Sequence, residues 1–342
     1  MSAPAENPST APARAPSELR IPDFFIVGHA KCGTTAMYEM LRRHPQIYMP
    51  DYKLGAGKEP WYFARDNPDP QTSGKRSIAY TGRNMGTFED YLSLFADALP
   101  EQRVGEASSS YLWSKSAAGR IAAVAPDARI IAIIREPASF LRSLHLQLLE
   151  NHQESQRIFR DAVALDQARL EDREIPSYAY WPAALIYSDR VRYVEQLRRY
   201  HDVFAPEQIK VFIYDDFRAD NEATVRQAFR FLDVDDAHPI EPLEVNPTIG
   251  VRSTGFDTFR RSLHAGRGPV LGAARRAGLA LTTRAMRESL LYPIQRRLVY
   301  GKPPPVDEEF MLELRRRFKG EVAALSEFLD RDLVTLWGYD KL

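Results

Sequence analysis

A lysine-bearing loop between an apolar run and two hydroxyl residues is the first candidate for chemistry. Residues 24–27 read FFIV, and residues 28–35 continue as GHAKCGTT. The apolar run is typical of a buried parallel strand, and the two threonines are expected to open a helix. N–H groups at a helix start have no intrahelical partners, and the helix dipole adds partial positive charge there. The loop is therefore predicted to bind a phosphate group.

The loop departs from the nucleotide-triphosphate pattern G-x-x-x-x-G-K-[ST]. Gly28 and Gly33 have the required spacing, and Thr35 supplies the hydroxyl. However, Thr34 stands where that lysine belongs, and Lys31 lies inside the loop. In the triphosphate loop the lysine reaches the β- and γ-phosphates while the hydroxyl holds Mg²⁺. The displaced lysine indicates that the loop binds an anion other than a nucleoside triphosphate. The alternative is that residues 28–35 form an ordinary strand–helix turn with no bound anion.

Two other charged residues have surroundings that suit chemistry. Glu59 lies directly before the aromatic run at 61–63, and a carboxylate in apolar surroundings suits a general base. Arg135 follows the apolar run 130–134, so its side chain is expected at the carboxyl end of a strand, where open α/β sheets bind ligands. An arginine fork binds a phosphate group through paired donors. The alternatives are a surface glutamate and a salt-bridged arginine.

Alternating apolar runs and amphipathic stretches must position these residues. Strands that alternate with helices of ordinary length indicate a parallel sheet covered on both faces. We therefore predict an α/β, P-loop-like, three-layer fold with a central parallel sheet flanked by helices. The pattern predicts strands at 24–27, 130–134 and 209–214, and helices at 34–43, 137–150, 219–232 and 307–329.

Composition limits the class of protein. The 342 residues carry 46 Lys+Arg, 46 Asp+Glu and one cysteine, which excludes a disulfide scaffold and a Cys-rich zinc site. Ordinary hydrophobic and charged fractions exclude disorder of the whole chain. Residues 1–20 are rich in Ala, Pro, Ser and Thr, so we expect a disordered tail and no secretory signal. We expect one domain over 21–342, a surface loop at 66–87 and a cytoplasmic location.

The loop and four further stretches, in order along the chain, resemble sulfotransferases that use 3′-phosphoadenosine 5′-phosphosulfate (PAPS). The resemblance is to the bacterial and heparan-sulfate-sulfotransferase-like branch, and it covers residues 21–340. The pattern G-x-x-K-x-G-T-T after a strand resembles the family's 5′-phosphosulfate loop. The other matching stretches are K-E-P-W-Y-F at 58–63, G-E-A-S-S-S-Y at 105–111, I-I-R-E-P at 133–137 with Ser143, and residues 325–337.

The resemblance implies an activity and assigns residues to it. A sulfuryl group would pass directly and in line from PAPS to a hydroxyl of a small-molecule, glycan or lipid acceptor. Adenosine 3′,5′-bisphosphate would be the product, and no metal would be needed. Lys31 would stabilise the leaving phosphate, and Glu59 would be the general base. Donor contacts are assigned to Ala30, Lys31, Cys32, Gly33, Thr34, Thr35, Arg135, Ser143, Tyr214 and Arg252.

Several assignments keep alternatives. Glu106 and Tyr111 would line the acceptor pocket, or Glu106 would pair with a cation. His145 is a candidate for acceptor binding and the alternative base, since the branch acting on phenols and steroids uses histidine. Cys32 is either a donor contact or a small space-filling residue. The alternative functions are a P-loop kinase-like phosphotransferase and a non-catalytic nucleotide-binding module.

The chain also departs from the small-molecule branch. Ala36 stands where that branch carries an adenine-stacking tryptophan, and the R-K-G-x-x-G run is missing. Residues 246–253 occupy the corresponding place, and this assigns Arg252 to the 3′-phosphate.

A basic segment is hidden by the neutral net charge. Residues 260–302 hold ten Lys/Arg and the single acid Glu288, a net charge of +9. We expect a basic insert or lid at 255–305. Its alternatives are an element that holds the anionic donor and a peripheral membrane contact. No recognised module supports nucleic-acid binding.

Overall fold

The computed structural model describes residues 19–51, 58–64, 87–151, 153–179, 181–241, 250–251, 300–301 and 303–342. These residues fall into two units. The first unit takes in the described residues within Met1–Asp69, Ala79–Arg135 and Glu195–Glu244. The second takes in those within Glu136–Val194 and Val245–Leu342. The organisation as one domain over 21–342 stays a prediction, and almost all of the tail, the surface loop and the basic segment lies outside the described residues.

Five parallel strands form the sheet of the first unit. The strands are β1 (Phe24–Ile26), β2 (Ile47–Tyr48), β3 (Arg103–Glu106), β4 (Arg129–Ile134) and β5 (Ile209–Ile213). Their order across the sheet is β2-β3-β1-β4-β5. The central strands β1 and β4 are buried except at Arg129, as their continuous apolar sequences require. The predicted α/β, three-layer fold with a central parallel sheet is confirmed.

Twelve α-helices lie in the remaining described chain. In chain order they are α1 (Thr34–Leu41), α2 (Phe88–Leu92), α3 (Ala117–Val124), α4 (Pro137–Glu150), α5 (Phe159–Ala164), α6 (Asp166–Leu170), α7 (Tyr187–Arg190), α8 (Tyr193–His201), α9 (Tyr214–Ala219), α10 (Asn221–Phe231), α11 (Glu308–Phe328) and α12 (Leu333–Leu336). A short antiparallel pair joins β6 (Gly250–Val251) to β7 (Tyr300–Gly301). None of these described helices is long and apolar enough to cross a membrane.

Local signals set the boundaries of α4. Pro137 stands at the first helical position, and the Glu136 carboxylate accepts hydrogen bonds from the N–H groups of Ala138 and Ser139. Proline has no N–H to satisfy at this position, and an acidic cap takes up N–H groups that the helix leaves unpaired. The predicted helix at 137–150 is therefore confirmed at both ends.

The predicted helix over 219–232 corresponds to α10, which matches it to within two residues, whereas the preceding helix α9 is not predicted by the pattern. The chain there forms α9 and α10, separated by Asp220 in an extended conformation. The Asp220 side chain accepts a hydrogen bond from the N–H of Ala223 and caps α10, which explains the interruption. The third strand also ends one residue early, because Tyr214 begins α9.

The second unit is built around α4 and α11. These helices pack together, and the Tyr339 hydroxyl donates to Oε1 of Glu136 at 2.6 Å. Arg169 and Glu154 form a fully buried ion pair at 2.8 Å. Removing either partner would leave a buried charge without compensation, so we expect either single substitution to destabilise this unit.

Candidate active site

The carboxyl ends of the parallel strands bring the candidate residues of the first unit to one edge of the sheet. The lysine-bearing loop follows β1, Glu106 ends β3, Arg135 follows β4 and Tyr214 follows β5. Ligands bind at this edge in open α/β sheets because the loops there lie above the sheet and the helices begin there. The structure therefore collects residues that are more than a hundred positions apart in the sequence.

The loop between β1 and α1 has a backbone shaped by two left-handed residues. Lys31 has φ 65° and Gly33 has φ 88°. A Cβ at Gly33 would lie 2.9 Å from the ring of Phe217 and 3.3 Å from that of Tyr214, so both conformation and packing require glycine. Gly33 is the N-cap of α1 and has no side-chain acceptor, which leaves the first N–H groups of the helix without a side-chain cap. The loop thus fits an anion such as phosphate.

Arg135 closes one side of this loop. Its Nη1 donates to the carbonyl oxygen of Lys31 at 3.2 Å, and its guanidinium lies 4.7 Å from the ring centroid of Tyr214. A guanidinium that lies over an aromatic ring is held in place by cation–π attraction. The structure therefore brings Lys31, Arg135 and Tyr214 together, as a binding site for a phosphate-bearing ligand requires.

Lys58 is the residue that sequence reasoning missed. It is only 2% exposed, and its ammonium donates to Oγ1 of Thr34 at 3.2 Å and Oγ1 of Thr35 at 3.4 Å. The same ammonium contacts Oε1 of Glu59 at 3.0 Å. A threonine hydroxyl that accepts a bond from Lys58 has its own proton left for another acceptor, such as an anion in the loop. The sequence offered one sign of this role, namely that Lys58 is adjacent to the candidate base Glu59.

Glu59 is held by donors on both carboxylate oxygens. Oε1 accepts from Lys58, and Oε2 accepts from Nε1 of Trp61 and from Oγ of Ser109, each at 3.0 Å. The side chain is still 27% exposed, which a general base needs in order to meet its acceptor. Trp61 itself has φ 51°, a strained conformation for a bulky residue. The structure thus connects the candidate base to the phosphate loop through Lys58.

Glu106 and Tyr111 lie in a buried hydroxyl network. Tyr111 and Tyr91 donate to Oε1 of Glu106 at 2.8 and 2.9 Å, and Ser108 donates to Oε2 at 2.8 Å. Glu106 is 1% exposed and Tyr111 is completely buried. The hydrogen bonds of the Glu106 carboxylate run to hydroxyl groups, so the alternative of a cation partner has no support among the described residues. Acceptor contact by either residue stays a prediction that their burial does not support.

Burial raises the pKa of Glu106 to about 7, although the hydroxyls of Ser108, Tyr111 and Tyr91 act in the opposite direction. The Glu106 carboxyl of the unfolded chain releases its proton at a lower pH than that of the folded chain, so protonation of Glu106 stabilises the fold. This contribution is complete below the pKa of the carboxyl in the unfolded chain. It is lost as pH rises through the folded pKa. In the wild type, the free energy of unfolding should fall by about 2–3 kcal/mol more between about pH 5 and about pH 8 than in Glu106→Gln. Urea unfolding of both proteins measures this, and parallel pH curves would contradict it.

Ser143 and His145 belong to the second unit, where both are buried in α4. The Nδ1 atom of His145 lies 2.8 Å from the Tyr187 hydroxyl, and its Nε2 lies 3.1 Å from the carbonyl oxygen of Arg157. Burial lowers the pKa of His145, which keeps the ring neutral in a packed environment. This position does not support His145 as base, and its contact with an acceptor stays a prediction, as does the role of Ser143.

The three other residues predicted to contact the donor differ in burial, and one of them is not described. Cys32 is completely buried within the loop and Ala30 is half-buried. Arg252 lies outside the described residues. Nothing in the structure tests the contacts of these three residues with the donor.

The fold and this edge of the sheet define an α/β protein with a loop shaped for an anion beside a candidate base. Residues 22–238 match the sequence profile of the sulfotransferase family. The chain therefore belongs to the sulfotransferase family, which confirms the resemblance found in its motifs.

Three known proteins illustrate the relationship. Carbohydrate sulfotransferase 15 from Homo sapiens is 25% identical over 260 residues, which cover 63% of this chain and 44% of that protein. Heparan sulfate glucosamine 3-O-sulfotransferase 6 from Homo sapiens is 31% identical over 137 residues, 40% of this chain and 33% of the relative. The chain thus spans less than half the length of these curated relatives. A crystal structure of a sulfotransferase from Alicyclobacillus acidocaldarius matches with TM-score 0.61 and 25% identity, covering 92% of this chain and 98% of that one.

Proposed function

We propose that this protein transfers a sulfuryl group from PAPS to a hydroxyl group and releases adenosine 3′,5′-bisphosphate. The observation that carries the proposal is the buried ammonium of Lys58, which contacts both threonines of the phosphate loop and the carboxylate of Glu59. An anion site and a proton acceptor joined in this way suit transfer between an anionic donor and an alcohol. Family membership supports the same reaction.

Each residue has a role in this reaction. The loop amides with Thr34 and Thr35 bind the 5′-phosphosulfate, and Arg135 beside Tyr214 binds the 3′-phosphate. As the acceptor oxygen bonds to sulfur, its proton passes to the Glu59 carboxylate. The bond between sulfur and the bridging oxygen breaks, and its electron pair stays on the phosphate. Lys31 stabilises that negative charge, which is where electrostatic catalysis acts.

We further propose a sugar hydroxyl as the acceptor. The names of the two human relatives refer to carbohydrate and to heparan sulfate glucosamine, which favours a glycan over the lipid and small-molecule alternatives. Family membership argues against the kinase-like alternative. A cytoplasmic location, a bacterial source, a metal-free reaction, no nucleic-acid partner and a peripheral membrane contact through 260–302 stay predictions.

The test is incubation of the protein with PAPS and a panel of hydroxyl compounds that includes sulfate-free glycosaminoglycan fragments. We expect release of adenosine 3′,5′-bisphosphate that depends on one class of acceptor, and mass spectrometry should find one added SO₃ group on it. Calorimetry with PAPS provides the binding measurement. Absence of PAPS binding would refute the proposal, whereas binding without turnover on any acceptor would favour a non-catalytic nucleotide-binding module.

A further inference from the structure

Two segments of the first unit are joined by a ladder of hydrogen bonds. The first is residues 58–63, which carry Glu59 and are called the base segment here. The second is residues 106–111, which begin at the last residue of β3. The bonds run from the Ala107 N–H to the Lys58 carbonyl (3.2 Å), from the Trp61 N–H to Ser108 Oγ (3.1 Å), from the Phe63 N–H to Tyr111 Oη (3.3 Å) and from Ser109 Oγ to Glu59 Oε2 (3.0 Å).

The buried carboxylate of Glu106 determines the direction of two of these bonds. When Glu106 is ionised, Ser108 and Tyr111 each donate their single hydroxyl proton to it, at 2.8 Å in both cases. Because that proton is committed to the carboxylate, the oxygen lone pairs of both hydroxyls are left to accept the N–H groups of Trp61 and Phe63. Glu106 thus orients the base segment without touching it.

The base segment needs such support because its backbone is strained. Trp61 has φ 51°, and a bulky residue keeps this conformation only where the surrounding structure holds it. Its N–H is held by Ser108, while its indole Nε1 donates to Oε2 of Glu59. The strained residue therefore connects the hydroxyl network to the carboxylate proposed as base.

We propose that Glu106, acting through the hydroxyls of Ser108 and Tyr111, is a positioning residue for Glu59. Its kinetic consequence rests on the proposed function, while the structural consequence, the placement of Trp61 against Glu59, does not. The hydroxyls of Ser108 and Tyr111 are the two relays between Glu106 and the base segment. Misplacement of a reacting group by about 1 Å costs up to roughly 10²-fold in rate, so loss of either relay should lower kcat measurably.

The chain offers a matched control in Tyr91. Its hydroxyl is buried and donates to the same Oε1 of Glu106 at 2.9 Å, as that of Tyr111 does. Among the described residues, however, Tyr91 makes no hydrogen bond to the backbone of the base segment. Its ring stacks on Tyr62 with centroids 4.7 Å apart, a contact that phenylalanine keeps. Tyr91→Phe and Tyr111→Phe therefore remove the same bond to Glu106, but only the second removes a relay.

The kinetic experiment compares Tyr111→Phe, Ser108→Ala and Glu106→Gln with Tyr91→Phe. We expect similar losses of Tm in the two tyrosine variants. We expect kcat to fall roughly 10- to 100-fold in the first three and less than about twofold in Tyr91→Phe. Affinity for adenosine 3′,5′-bisphosphate should not change in any variant. A rise in acceptor KM at constant kcat in Tyr111→Phe would instead place Tyr111 against the acceptor and overturn the proposal.

A spectroscopic experiment tests the same proposal without turnover. The indole N–H signal of Trp61 in a ¹⁵N-labelled protein is assigned by its loss in Trp61→Phe. We expect this signal to move in Tyr111→Phe and Ser108→Ala, because the hydrogen bond to Glu59 changes, and to stay in place in Tyr91→Phe. An unmoved signal in both relay variants overturns the positioning role. An inactive wild type with the expected shifts refutes the proposed function and leaves the positioning role intact.

Discussion

Replacement of Glu59 by glutamine is expected to lower turnover by roughly 10²–10⁴-fold. The amide cannot accept the proton of the acceptor hydroxyl, while it keeps the size of the side chain. Its carbonyl oxygen can still face the Lys58 ammonium, which contacts Oε1 in the wild type at 3.0 Å. Affinity for adenosine 3′,5′-bisphosphate should therefore survive. Steady-state kinetics with PAPS and the acceptor, together with calorimetry, measure the two effects separately.

The matched control is Glu101→Gln, which removes an exposed carboxylate of the same unit. It should leave both turnover and affinity unchanged, because Glu101 precedes the amino end of β3, whereas the phosphate loop lies at the carboxyl ends of the strands. If Glu59→Gln kept turnover within about threefold of the wild type, Glu59 would not be the base.

Replacement of Lys31 by methionine is expected to lower turnover by roughly 10²–10³-fold, the usual effect of removing one charge-stabilising donor. Lys31 adopts φ 65° within the loop, an uncommon conformation for a non-glycine residue. Methionine has a similar length and no charge, so the leaving phosphate loses its cation. Single-turnover kinetics at saturating PAPS isolate this effect from donor binding.

Lys115→Met is the corresponding control, because Lys115 is an exposed lysine of the same unit. Its single-turnover rate should match that of the wild type, which excludes a general effect of lost positive charge. Lys31→Arg adds a second comparison, since a guanidinium keeps the charge but not the compact geometry of an ammonium. An unchanged rate in Lys31→Met would assign leaving-group stabilisation to another cation.

Parts of the fold follow from short-range patterns and were predictable. The apolar run before Gly28, the two threonines after Gly33 and the proline at 137 each signal a strand or a helix start within a few residues. The same reasoning found α4 at both ends and α11 to within one residue. It placed α10 to within two residues but missed α9, because a helix of 6 residues is too short to show a helical period.

Other elements carry little local signal. The strand β2 has two residues, and β3 begins with an arginine and contains a glycine and a glutamate, so neither has an apolar run. Both exist because their backbone groups pair within the sheet, β3 with β1 and β2 with β3. Such pairing joins residues about 55–80 positions apart, and no short sequence window contains it.

The amino-acid sequence by itself determined the parallel sheet, the phosphate loop with Lys31 and the family, because each depends on residue types at short, regular spacing. Only the tertiary structure decided which side chains surround the candidate base. Lys58 joins Glu59 to Thr34 and Thr35, and Glu106 is turned inward to hydroxyl groups. These contacts form where separate strands and loops meet at one edge of the sheet. Residues that meet in this way are far apart in the sequence, so no local sequence pattern predicts their contacts.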